Sequence, residues 1–171
     1  MGDRRGPIGD MIRWMTYGVA AVAAVALWLW MRSDTVRVRR TFDEVAKLIE
    51  RESTESVMEN AVKCRALAGY VAKACRVEIP EHQVNGTVSP EDFSGGMLAF
   101  RNEVKRIRVA FSDLKVSVKA GRATVVGQVD FTGSDAGIGI QEPLVRGFEA
   151  TLVENASGRW QFSVMRIVRG S

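Results

Sequence analysis

The sequence predicts an α+β fold: an apolar N-terminal span, then helices, then an antiparallel sheet onto which the helices pack. Three observations predict it. The run Trp14 to Met31 contains no charged residue, and its eighteen residues would rise about 27 Å as a helix, close to the hydrocarbon thickness of a bilayer. After it, apolar residues recur at three- and four-residue intervals, the period of a helix. From Leu114 onward they alternate with polar residues, the period of a strand.

The span is bracketed by Arg13 and Arg32, with Trp14 and Tyr17 near one end and Trp28 and Trp30 near the other. Amphipathic rings prefer headgroup depth, so these four residues, with Arg32, Arg37, Arg39 and Arg40, are the expected membrane interface. A cleavable secretory signal is the rival reading. Its small-x-small pattern, Ala24-Val25-Ala26, falls inside the apolar run, and cutting there would expose LWLWM at the new terminus. An uncleaved anchor is therefore expected. The organisation is a short tail over 1–13, a transmembrane helix over 14–31, a basic juxtamembrane linker over 32–40 and one domain over 41–171. Arginines flank both sides of the span. A short N-tail is easily retained inside while a long domain translocates, so the expected location is the inner membrane with the domain in the periplasm.

Within the domain, Val38, Phe42, Val45 and Ile49 mark a first helix. Ser53 or Thr54 reads as the N-cap of a second, whose apolar face runs through Val57, Ala61, Cys64, Leu67, Val71 and Cys75. Residues 78–89 carry Pro80 and Asn85-Gly86 and read as an irregular connection or short strand. Ser89-Pro90-Glu91-Asp92 is a helix start, interrupted by Gly95-Gly96. The face Met97, Phe100, Val104, Ile107, Phe111 then continues at helical spacing. Leu114, Val116 and Val118 form a strand, Gly121 a turn, and ATVVGQVDFT a second strand. Gly133 to Pro143 is a loop, Leu144 to Val153 a third strand, Asn155 to Gly158 a turn, and Trp160 to about Val168 the last strand.

Net charge is +4, with basic and acidic residues interleaved. No basic face with interleaved aromatics is present, so nucleic acid is not an expected partner. The two cysteines, Cys64 and Cys75, are placed on one helix, about 16 Å apart along its axis, too far to pair; they read as buried structural thiols. With one histidine, His82, in the chain, neither a metal site nor a cofactor is expected.

The stretch MLAFRNEVKRIRVAFSDLKVSVKAGRATVVGQVDFTG resembles the third helix and central hairpin of nuclear-transport-factor-2-like (NTF2-like, also cystatin-like or SnoaL-like) domains. The ending GFEATLVENASGRWQFSVMRIV resembles their last two strands, with a Gly-x-Trp turn opening the final one. The resemblance covers Phe42 to Val168 and implies a curved sheet wrapping its helices into a cone with an internal pocket. Tyr70, Phe100, Val104, Phe148 and Trp160 are the expected lining of that pocket. Enzymes of the family place Tyr, Asp or His inside the cone, but no family catalytic motif maps onto this chain. His82 lies in a broken loop, and strand alternation turns Asp130 and Glu149 outward, away from Phe131, Phe148 and Ala150. The glycines of 133–139 are not followed by a helix and lack the Lys-Ser/Thr of a phosphate loop.

Two functions are compatible with these features. The first is a membrane-anchored, non-catalytic interaction or scaffold domain of a bacterial envelope assembly, with the lipid bilayer, other envelope proteins and a second copy of itself as partners. Its layout is similar to that of the inner-membrane scaffold subunit of type IV secretion systems. The alternative is a cone that binds a small hydrophobic ligand, or an isomerase- or dehydratase-like enzyme using Tyr70 and a carboxylate.

Overall fold

A computed structural model describes residues 33–80, 84–134 and 144–168. The chain divides into two compact units, Met1–Arg37 and Val38–Ser171. Of the first, the described part is the opening turn of helix α1 (Asp34–Ile49), where the Ser33 carbonyl accepts from the Val36 and Arg37 amides and Arg37 pairs with Asp34 at 3.0 Å. The apolar run Trp14 to Met31 lies outside the described residues, as do Arg32 and the tail. Among the described residues no helix is long and apolar enough to cross a membrane. Within the segment read as a linker, residues 34–40 are helical.

In the second unit α1 buries Val38, Thr41, Phe42 and Val45, the face its three-four spacing predicts. Helix α2 (Val57–Ala68) opens two or three residues later than Ser53 or Thr54 would place it. Ser56 is the N-cap, and its hydroxyl accepts from the Glu59 amide while the Glu59 carboxylate accepts from the Ser56 amide. This reciprocal capping box satisfies two helix-end donors at once. The Ser56 amide and the Ser56 hydroxyl both donate to the Glu59 carboxylate at 2.9 Å and hold it below its usual range.

The helix ends at Ala68, capped by Gly69, and strand β1 (Val71–Ile79) follows. Here the structure corrects the sequence reading: Cys75 is on this strand, not on the helix of Cys64. Val71 and Cys75 are four apart, a spacing that fits a helix face and a strand face equally, so periodicity alone misassigned them. Both thiols are free and buried, and burial pushes the Cys75 thiol up to about 11. Strand β2 (Val84–Val88) returns antiparallel on β1, so the stretch read as an irregular connection or short strand contains a short strand. His82 lies outside the described residues.

Helix α3 (Pro90–Glu103) starts as predicted, with Ser89 capping the Asp92 amide, but Gly95-Gly96 do not interrupt it. It stops earlier than expected. Val104 is extended (φ −105°, ψ 116°), and the residues read as a continued helix face are strand β3 (Arg106–Lys119). Ile107 and Phe111 are again four apart. Val109 between them, buried like Ile107, shows the true period of two.

Strands β4 (Arg122–Ser134), β5 (Leu144–Glu154) and β6 (Trp160–Val168) complete a six-stranded sheet of order β2-β1-β6-β5-β4-β3. All neighbours are antiparallel except β1 and β6, which run parallel. The β3–β4 turn places Ala120 (φ 49°) and Gly121 (φ 71°) in the left-handed region, the conformation a two-residue hairpin requires. Bulges at Ser112/Lys115 in β3 and at Ser163 in β6, opposite Thr151/Leu152, bend the sheet. Opposite the first bulge stands Gly127, where a Cβ would meet Leu114 Cδ2 at 2.8 Å and the Ser112 carbonyl at 2.9 Å. Only glycine permits that approach.

Ala123, Val125, Phe148, Ala150 and Leu152 point to the buried face of the sheet, and Thr124, Val126 and Glu149 to the exposed one. The buried face packs with α1, Leu67 of α2, Trp160 and Phe162 into one core, and Val104, Ile107 and Val109 form a second cluster.

Candidate functional site

The site grows out of the aromatic residues. The chain has seven phenylalanines, and all seven line one cavity of about 260 Å³: Phe42 from α1, Phe93 and Phe100 from α3, and Phe111, Phe131, Phe148 and Phe162 from the four meander strands. Phe42 stands at the centre of the floor, edge-on to Phe111 (5.1 Å, 77°) and Phe162 (5.2 Å, 87°) and tilted against Phe148 at 5.5 Å. Phe100 and Phe131 face each other at 5.9 Å as a separate wall. Met97 and Met165 supply thioethers, which pack well against ring edges.

Polar groups are turned away from this space. Tyr70 lines the cavity with its ring, but its hydroxyl donates outward to Glu44 Oε2 at 2.9 Å, and the Arg159 guanidinium lies 5.6 Å from the ring centroid. Burial, then the hydrogen bond to Glu44, pushes the Tyr70 phenol up. Glu149 and Arg166 touch the boundary from the outer sheet face, where they approach each other at 3.8 Å. No histidine or aspartate is among the residues that line the cavity. Among the described residues no cluster of three or more His, Cys, Asp or Glu could hold a metal.

The strongest polar cluster lies beside the cavity. Arg101, on α3 next to Phe100, has no exposed surface. It donates to Glu55 Oε1 and Asn60 Oδ1, both at 2.6 Å, and to the Leu48 and Ile49 carbonyls at the end of α1. Asn60 in turn donates to Asn102. Cys64 donates to the same Asn60 oxygen at 3.7 Å, and burial pushes its thiol up despite the nearby guanidinium. This network ties the end of α1, the α1–α2 turn and the last turn of α3 together. It is structural, because Nε and both terminal nitrogens of Arg101 donate to groups of the protein itself.

Of the residues expected to line a pocket, Tyr70, Phe100 and Phe148 come together at the cavity. Val104 lies in the second core cluster with Ile107 and Val109, and Trp160 is buried in the main core with its indole N–H unpartnered. Phe42, Phe93, Phe111, Phe131 and Phe162 were not expected there. The available signal was one residue type recurring at core-facing positions of six different elements. Of the expected membrane-interface residues, Arg39 is exposed and donates to the Leu114 carbonyl at 2.8 Å, Arg40 is exposed, and Arg37 holds Asp34. Trp14, Tyr17, Trp28, Trp30 and Arg32 lie outside the described residues.

No protein-family model matches the chain, and no curated protein matches it in sequence. Its likeness is to solved structures. Kfla4162 from Kribbella flavida superposes with a TM-score of 0.63 at 16% identity, over 81% of this chain and 91% of that one. An NTF2-like protein from Cytophaga hutchinsonii gives 0.61 at 12% identity, over 81% and 99%. The fold is NTF2-like. A Novosphingobium aromaticivorans protein named as a proposed scytalone dehydratase gives 0.63 at 12% identity, over 81% and 85%. At such identities the likeness establishes architecture and leaves the chemistry to the residues present.

In this NTF2-like cone the helices and the sheet enclose an apolar space, and among the described residues no histidine or aspartate lines it. The arrangement suits retention of an apolar molecule. A charged ligand would lose its hydration there with no partner to replace it.

Proposed function

We propose that this NTF2-like domain is a non-catalytic binding module whose cone takes a small, neutral, ring-containing hydrophobic molecule. The wall of seven phenylalanines carries this reading. Aromatic pairs at these edge-on geometries are worth about 0.5–1.5 kcal/mol beyond their buried area, a gain open to a ring and closed to an alkyl chain. The volume supports one or two rings. An apolar cavity of about 150 Å³ holds benzene, and drug-sized sites begin near 300 Å³.

The test uses the full chain in lipid nanodiscs, with empty discs as the blank, and fluorine NMR of 1-fluoronaphthalene. A saturable bound resonance is expected. Its carboxylate analogue, 4-fluoro-1-naphthoate, should give none. Val129→Phe, which directs a ring into the cavity, should abolish the bound resonance while leaving the protein folded, at a stability cost of about 1–3 kcal/mol. If no saturable resonance forms, or if Val129→Phe leaves it intact, the cone is not the binding site.

A membrane-anchored assembly role is the second reading, and one observation favours it. Val57, Met58 and Val62 stand on the outer face of α2, the first two about four-fifths exposed. Large apolar side chains grouped this way are typical of protein contact surfaces. Photocrosslinking from position 58 in native membranes is expected to capture one reproducible neighbour, and loss of that adduct in Val62→Glu would tie it to the stripe. A pattern identical to that from exposed Lys119 would remove the basis for this reading.

A further inference from the structure

We propose that α3 is a two-part wall of the cone, hinged at Gly95-Gly96, and that Phe93 on its first half is the gate residue that selects what enters the cavity. The inference rests on the ligand-binding reading above. Two consecutive glycines in a helix interior weaken it, and packing does not explain them: both are exposed, and a Cβ on either would meet nothing within 4 Å. Phe93 and Met97 flank the pair, half-buried, and both line the cavity.

The two halves are held very differently. After the glycines, Arg101 is locked by Glu55, Asn60 and the Leu48 and Ile49 carbonyls, and Asn102 by Asn60. Before them, the first half is tied to its surroundings by the packing of Phe93 on the main core and by the Ser94 hydroxyl, which donates to the Cys64 carbonyl at 3.0 Å. It is fed by β2, an edge strand bonded to β1 alone. Outward rotation of Pro90–Ser94 about the glycines would withdraw Phe93 from the wall while Phe100, beside the anchored Arg101, stays in place.

The experiment compares wild type, Gly95→Ala/Gly96→Ala and Phe93→Ala as full chains in nanodiscs. Without ligand, amide hydrogen exchange should show Ser94–Met97 at least ten-fold less protected than Phe100–Glu103. The double alanine variant should raise protection in the first segment about 30-fold, the combined propensity difference of two Gly→Ala exchanges, and leave the second unchanged. With 1-fluoronaphthalene, association and dissociation should both slow by a similar factor while the dissociation constant moves less than three-fold. Phe93→Ala should speed both rates and admit a three-ring probe, 9-fluorophenanthrene. Equal protection along α3, or unchanged ligand rates in the double variant, overturns the gate. If wild type binds no probe, the ligand reading fails, and the hinge stands or falls on hydrogen exchange alone.

Discussion

Arg101→Ala is expected to lower the unfolding free energy by about 4 kcal/mol, a large fraction of the roughly 5–15 kcal/mol typical of a domain. The guanidinium is wholly buried, and its partners are nearly so: the Glu55 side chain is 6% exposed and Asn60 is buried. Removing the cation strands a carboxylate, an amide oxygen and the carbonyls of Leu48 and Ile49 in the interior, where each unmet group costs about 1–3 kcal/mol. Lys63, 3.2 Å from Glu55, relieves part of this from the more exposed side. Chemical denaturation of Arg101→Ala, Glu55→Leu and the Arg101→Met/Glu55→Leu pair separates the contributions. The pair should be more stable than Arg101→Ala, because no lone buried carboxylate is left. It should remain below wild type, because the α1 carbonyls stay unmet. A loss under about 1 kcal/mol in Arg101→Ala would mean that water reaches the cluster and that the network does not hold α3.

That network was not legible in the sequence, and the reason is physical. Arg101, Lys105 and Arg108 recur at helical spacing, a pattern of cations typical of a solvated helix face. The burial of Arg101 depends on α1 ending with two free carbonyls and on the Ser56 cap placing Glu55 beside them. Both are tertiary facts. The strands after Leu114 were legible because strict alternation has one solution there: a one-residue slip would turn every apolar side chain outward. Cys75, Ile107 and Phe111 were misread because a four-residue spacing satisfies both periods, and only intervening residues such as Val109 distinguish them. Tyr70, Phe100 and Phe148 were legible as pocket candidates through the resemblance. The complete aromatic wall required six elements to be placed around one point, which no local pattern encodes.

Phe42→Ala is the second large effect, expected to cost about 4 kcal/mol of stability, because it removes the ring on which the cone floor is assembled. Phe42 is 1% exposed and touches three other rings, Phe111, Phe148 and Phe162, at centroid distances of 5.1–5.5 Å. Leucine at this position should recover more than half of the loss, since it restores most of the buried volume without the edge-on ring contacts. The site adds a consequence that a residue buried deep in a filled core would not have. Phe42 borders a space that already exists, so truncation extends the cavity instead of creating an isolated void. A ligand can therefore return part of what the mutation removes: saturating 1-fluoronaphthalene should raise the unfolding midpoint of Phe42→Ala more than that of wild type, by the mass-action term for a ligand bound to the native state alone. Calorimetry of both proteins with and without ligand checks it. An equal shift in the two, with the destabilisation intact, would separate the floor from the binding space and confine Phe42 to a structural role.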